Sequence, residues 1–252
     1  MIIRESERDF IMIRQHHHAA ISGKMMESVQ ANFFPDDSFK HSVLYAIKMH
    51  DFGWENFDKE PFWNDEKDTP YSFIDFPNTA KTVIYKHGID EVEKNDAYAG
   101  LLCSMHYSQF LAKDASELSQ AFITNEQKRQ KAIRDKMEID PGLFTFHFEL
   151  LQLADTLSLF LCLNKPGSRK EEIHSLFKNG MRLPAALEGQ FGKKLELEWV
   201  NEGTVSCKPL LFQNSVTLSI PLKKVAKESI SAVGLRRSYT ETEEQYCSLK
   251  II

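Results

Sequence analysis

The feature that most constrains this chain is a carboxylate set into an apolar helix. Residues 143–163 read as one helix, and Phe144, Phe148, Leu151, Asp155, Leu159 and Cys162 fall on its core face at roughly 100° per residue. Asn164, Pro166 and Gly167 stop it. Removing a carboxylate from water costs several kcal/mol unless it is paired or binds a cation. Asp155 must therefore meet a metal ion, cap a neighbouring helix or pair with an arginine such as Arg14.

Three other regions offer a metal-type ligand on an otherwise apolar face. Residues 39–50 read as a helix with Phe39, Val43, Ala46, Ile47 and His50 on one face, and Asp51 follows His50 about 100° further round the axis. Gly53 then permits a sharp exit. Residues 9–33 read as a first helix on which Ile11, His18, Met25 and Val29 lie within about 20° of one another, so His18 is the inward member of His16-His17-His18. The run Phe33-Phe34-Pro35-Asp36-Asp37-Ser38 ends that helix and caps the next. Residues 96–112 read as a helix with Ala99, Leu102, Cys103, His106 and Phe110 on one face. Imidazole and carboxylate ligands together suit iron, manganese, zinc or cobalt, and helices can build such a site from facing side chains.

The rest of the chain frames these residues. A helix over 78–89 is expected to end at Gly88, and the charged stretch 114–138 reads as a solvated helix. Residues 54–79 carry aromatics and prolines and read as a long loop, either a cover over helix ends or a substrate wall. After about residue 193 the pattern alternates: Leu195–Val200, Thr204–Lys208 and Ser215–Ile220 read as strands, with Asn201-Glu202-Gly203 as a hairpin turn. The tail after about residue 226 is polar. These readings give a mainly α protein: a helical bundle over residues 1–192, with a small antiparallel β appendix and polar tail over 193–252.

At 252 residues the chain is long enough for one large domain with a sizeable core. A net charge of -5 argues against a general nucleic-acid binder. Four widely spaced cysteines with no Cys-x-x-Cys pair read as reduced thiols, and the charged N-terminus does not read as a signal peptide. A cytoplasmic protein without membrane partners is expected, with no expectation for its oligomeric state.

The order His18, His50-Asp51, Asp155 resembles the His…His-Asp…Asp pattern of the HD-domain superfamily of metal-dependent phosphohydrolases. The segments Gln15–Ala19 with Ser22-Gly23, His50-Asp51-Phe52-Gly53-Trp54 and Leu101-Leu102-Cys103-Ser104-Met105-His106 are similar to an uncharacterised, mostly bacterial HD-like family, over roughly residues 10–220. The resemblance implies an HD-like bundle in which His18, His50, Asp51 and Asp155 hold a metal. It makes His106 a ligand for a second ion or for substrate phosphate, so one or two divalent ions are expected. His87 and His147 are further candidates without a matching motif.

The expectation is hydrolysis of a small phosphorylated substrate by metal-activated water, with Asp51 orienting the water and His106 contacting the phosphate. Glu55 and Asp58 are candidate acid/base groups or ordinary loop acids, and Arg14 is a candidate phosphate contact. Two other classes fit the same residues: a non-haem diiron oxygenase-like enzyme, and a non-catalytic metal- or ligand-binding module.

Overall fold

The chain begins with strands, not with a helix. In the computed structural model, which describes residues 1–34 and 38–252, β1 (Ile2–Glu5) and β2 (Asp9–Ile13) form an antiparallel hairpin with Ile2 opposite Ile13 and Glu5 opposite Phe10. Phe10 and Met12 are buried while Ile11 between them is only partly so, a period of two that the helical reading of 9–33 overrode. The helix α1 spans only Gln15–Glu27. The expected stop at Pro35, Asp36 and Asp37 lies outside the described residues.

From there α2 (Lys40–Met49) leads through a short ribbon, β3 (Trp63–Asn64) and β4 (Thr69–Pro70), into α3 (Asn78–Asn95). Then come α4 (Ala97–Leu111), α5 (Glu117–Arg134) and α6 (Pro141–Leu163). The C-terminal third is β5 (Met181–Arg182), α7 (Glu188–Phe191), β6 (Lys194–Asn201), β7 (Thr204–Lys208), β8 (Val216–Ala226), α8 (Lys227–Val233), α9 (Leu235–Glu241) and β9 (Glu244–Ile251). Three of the four long helices have local reasons to start. Asp96, Ser116 and Asp140 each accept a first-turn N–H, at Ala99, Ser119 and Leu143 respectively, and Pro141 opens α6.

The expected mainly α bundle with a small C-terminal β appendix is not what forms, and "all-α" does not describe the chain. Seven strands make one mixed sheet in the order β1-β2-β8-β9-β7-β6-β5. All neighbours are antiparallel except β7 and β9, which run parallel. Two contributions were hidden from the sequence reading. The N-terminal hairpin joins through β2 and β8, where Asp9 lies opposite Ala226. The polar tail supplies β9, which lies between β8 and β7 although only Leu249 and Ile251 of it are fully buried. The fold is thus mixed α/β. Ladder pairing between residues more than 200 apart leaves no local pattern to read.

Helix α1 lies between the two layers, packing on α2 and α6 on one side and on β8 on the other. One apolar core runs through both, from Ile47, Leu102 and Leu157 in the helices to Leu218 and Ile251 in the sheet. Helix α6 is long and apolar enough to cross a bilayer, but 56% of that window is buried inside the fold, as in the core helix of a soluble protein. All four cysteines are free.

Helix α3 runs through Gly88 instead of ending there, and the reason lies in Gly53. A Cβ on Gly53 would sit 2.2 Å from the carbonyl oxygen of Ile84, and one on Gly88 would sit 2.8 Å from the Gly53 nitrogen. The turn after Asp51 therefore packs backbone to backbone on α3. Close approach, more than a special dihedral, explains Gly53, whose φ is not positive. Gly53→Ala should destabilise the fold by about 1–3 kcal/mol in urea denaturation. Gly189→Ala, where nothing lies within 4 Å, should change it by about 0.5 kcal/mol or less. Equal effects would contradict the close packing.

Candidate metal centre

Helices α1, α2, α4 and α6 each deliver one side chain or pair to a single buried point. His18 comes from the second turn of α1, His50 caps α2, Asp51 follows it, His106 lies on α4 and Asp155 on α6. All three imidazoles are buried, as is Asp51, while the side chain of Asp155 is 13% exposed. His18 Nε2 is 2.7 Å from Asp51 Oδ2 and 3.8 Å from Asp155 Oδ1. His50 Nε2 is 3.7 Å from Asp51 Oδ2 and 3.5 Å from Asp155 Oδ1. His106 Nε2 is 3.7 Å from Asp155 Oδ2. Two triads, His18–His50–Asp51 and His50–His106–Asp155, have ligand atoms within 4.8 Å of one another and could hold a metal ion.

The hydrogen bonds behind these groups set which atoms face inward. His50 Nδ1–H donates to the carbonyl of Ile47 at 2.7 Å, so its Nε2 faces the two carboxylates. That Nε2 is buried with no hydrogen-bond partner among the described residues. His18 Nδ1 lies 2.6 Å from the hydroxyl of Ser158, which itself donates to the carbonyl of Asp155 and accepts from Ser22. Ser158 and Asp51 thus flank the two ring nitrogens of His18, with Nε2 in a 2.7 Å hydrogen bond to Asp51 Oδ2. Asp51 is held by the Gln15 amide at 3.1 Å and the Tyr107 hydroxyl at 3.2 Å. Gln109 Nε2 lies 3.3 Å from His106 Nδ1, and Gln152 donates to Gln109 at 2.7 Å.

This donor set fits a metal ion. Bonds of roughly 2.0–2.2 Å to nitrogen and oxygen place neighbouring ligands roughly 3–3.5 Å apart, close to the 3.5–3.8 Å separations of three of the four pairs. In the metal-free protein a proton on His50 Nε2 meets the carboxylates only at 3.5–3.7 Å. Among the described residues no cysteine joins the set, so it suits an N/O-preferring transition metal rather than a structural zinc site.

Electrostatics in the metal-free protein follow from the same contacts. Burial would lower the His50 pKa, but the Asp51 charge, then Asp155, hold it up at about 9. Burial would raise Asp51, yet His50 and His18 keep it well below the usual carboxylate range. Asp155 is lowered against its burial by His50 first and then His106. Burial takes His106 the other way, to about 4, only partly opposed by Asp155. Burial and then the Asp51 charge push the Tyr107 phenol well up, so it stays a donor.

The other sequence candidates lie elsewhere. Arg14 donates to the Tyr239 hydroxyl at 3.1 Å instead of pairing with Asp155. Asp58 is buried as a structural anchor: it accepts the Gln15 N–H at 2.6 Å, at the start of α1, and pairs with the Met1 amino group at 2.6 Å. Glu55 pairs loosely with Lys59. His147 is buried against the Tyr98 hydroxyl, and the His87 ring lies beside Phe52. The aromatic stretch packs Trp54 against Phe76 and against Tyr85 on α3, and bonds Phe73 N–H to the Met1 carbonyl. Gln15, Tyr107, Gln109, Gln152 and Ser158 were not singled out from the sequence. The available signals were adjacency (Tyr107 beside His106, Gln15 in the histidine run) and helical spacing (Ser158 one turn after Asp155).

One side of the centre is open. Asp155 also lines a groove of about 480 Å³ bounded by α4, α6 and the segment 176–184. No residue of the aromatic stretch 54–79 lines it.

The fold and cluster define a mixed α/β protein with a candidate metal centre. The chain belongs to the family described as "Protein of unknown function (DUF3891)", whose profile matches residues 1–227. No curated protein and no solved structure matches it. The resemblance to the HD-domain superfamily, and to an HD-like family near it, is overturned: the matching family is a different one, and a seven-stranded mixed sheet is not an HD helical bundle.

Two outcomes test the centre. Ser158→Ala should fold and weaken metal binding about tenfold to a hundredfold in chelator competition, because His18 loses the partner that fixes its ring. Unchanged affinity would contradict that role. The second outcome is a pH dependence. In the metal-free protein the raised His50 pKa gives stability fully present below the unfolded value of about 6.5 and lost as pH rises through about 9. The depressed Asp51 pKa gives stability present above about 3.9 and lost on acidification. A metal competes with the His50 proton, so the rise in Tm on adding Mn2+ should be larger at pH 8 than at pH 6. A rise that is equal or larger at pH 6 would contradict it.

Proposed function

We propose that this chain is a metal-dependent phosphohydrolase with His18, His50, Asp51 and Asp155 as the ligands. The observation that carries the reading is the buried, unpartnered Nε2 of His50, fixed by Ile47 and aimed between two carboxylates. A divalent iron, manganese, zinc or cobalt ion bound there would supply a Lewis acid that lowers the pKa of water and neutralises phosphoryl charge. His50 Nε2 has one lone pair and belongs to both triads, which supports one ion in this geometry.

The remaining work falls to the chain. Gln15 and Tyr107 fix Asp51, which orients the attacking water. Asp155 is the ligand that reaches the groove, so substrate arrives beside it. His106, kept neutral by burial, receives a hydrogen bond from Gln109 at Nδ1 and keeps Nε2–H as a donor for a phosphoryl oxygen. The water oxygen attacks phosphorus, the ester P–O bond breaks, and the alcohol departs with a proton. The substrate is small and phosphorylated. Free, largely buried thiols support a reducing, cytoplasmic setting.

Metal-depleted protein should not hydrolyse bis-p-nitrophenyl phosphate above background, and should gain turnover on adding Mn2+, Fe2+, Zn2+ or Co2+. His106→Ala should keep the ion and lose about a hundredfold in kcat. Asp155→Asn should lose both ion and turnover. Turnover unchanged in a folded His50→Ala variant would sink the reading.

A further inference from the structure

The groove beside Asp155 is more apolar than a site for a sugar phosphate requires. Its walls include Phe110, Leu159, Leu176 and Met181. Phe110 is 51% and Leu176 60% exposed, and they rise from different walls of the same opening. Single exposed apolar residues are ordinary, but two large ones flanking the mouth above a metal-type cluster are a reason to expect an apolar ligand. Phe110 also packs edge-on against His106, with ring centroids 4.8 Å apart, which links the rim to the centre.

Part of the polar lining is already engaged. Gln152 donates to Gln109, Thr156 donates to the Gln152 carbonyl, and Glu149 accepts the Ala185 N–H. Arg182 is the only cation among the described lining residues, and it has no ion-pair partner among the described residues.

We infer that the groove binds phosphoryl compounds whose body is aromatic or otherwise apolar, with Phe110 and Leu176 gripping the body and Arg182 the anion. The placing of the phosphoryl end beside Asp155 rests on the hydrolase reading; the apolar grip does not. The groove of about 480 Å³ is large enough for a substituted ring.

Phosphonates are not hydrolysed, so their binding reads the groove apart from turnover. In calorimetry on the Mn2+-treated full chain, phenylphosphonate should bind about tenfold or more tighter than methylphosphonate. Phe110→Ala/Leu176→Ala should abolish that preference, with circular dichroism unchanged because both side chains are exposed. Arg182→Gln should weaken both phosphonates severalfold. Equal affinity of the two in the wild type, a preference that survives the double variant, or no binding of either would overturn the inference. A wild type that prefers phenylphosphonate yet turns over no phosphoester would leave the groove standing and remove the hydrolase.

Discussion

The architecture depends on keeping Asp51 and Asp155 ionised away from water. Two carboxylates within one buried cluster are tolerable only if positive charge stands among them. Three imidazoles surround them, and in the metal-free protein His50 carries that charge. The segments that carry His18, His50, Asp51 and Asp155 are each held from behind. Asp58 fixes the start of α1, Ile47 turns the His50 ring, Ser158 ties α1 to α6, and the Gly53–Gly88 contact holds the turn that carries Asp51. The sheet packs under α1, so the helix that bears His18 is held between β8 and the helices α2 and α6.

The cluster and the sheet differed sharply in how much the sequence revealed. His18, His50, His106 and Asp155 each stand on an apolar helical face, so periodicity alone singled them out, and the structure brings all of them together with Asp51. The same periodicity failed over residues 9–14. There the buried Phe10 and Met12 follow a strand's alternation, and extending the α1 pattern backward by a turn and a half absorbed them into a helix. β9 was invisible for another reason. Its partners are β8 and β7, and its burial comes from neighbours on both edges more than from its own side chains. A β component that draws on both ends of the chain cannot be seen in windows of ten residues. The short motifs His50-Asp51 and Asp155 also suggested a family whose fold this chain does not share. Ligand order is a property of the site and does not define the scaffold.

Burial divides the centre into a closed and an open half. His18, His50 and Asp51 are shut off from solvent, whereas Asp155 meets the groove and His106 stands behind Phe110. A purely structural ion would need no opening. The opening faces a groove lined by Phe110, Leu176 and Arg182, the residues to which the proposed reading gives recognition. The cluster is built by α1, α2, α4 and α6, and the rim of the groove by the end of α4 and the segment 176–184.

The most direct test of the central claim is X-ray absorption at the metal edge on purified, Mn2+- or Fe2+-loaded protein. The account predicts a first shell of nitrogen and oxygen only, with the scattering signature of two imidazoles, at stoichiometric occupancy. A shell containing sulfur, a shell without imidazole scattering, or no retained metal would contradict it, and the buried cluster would then be a hydrogen-bonded polar core.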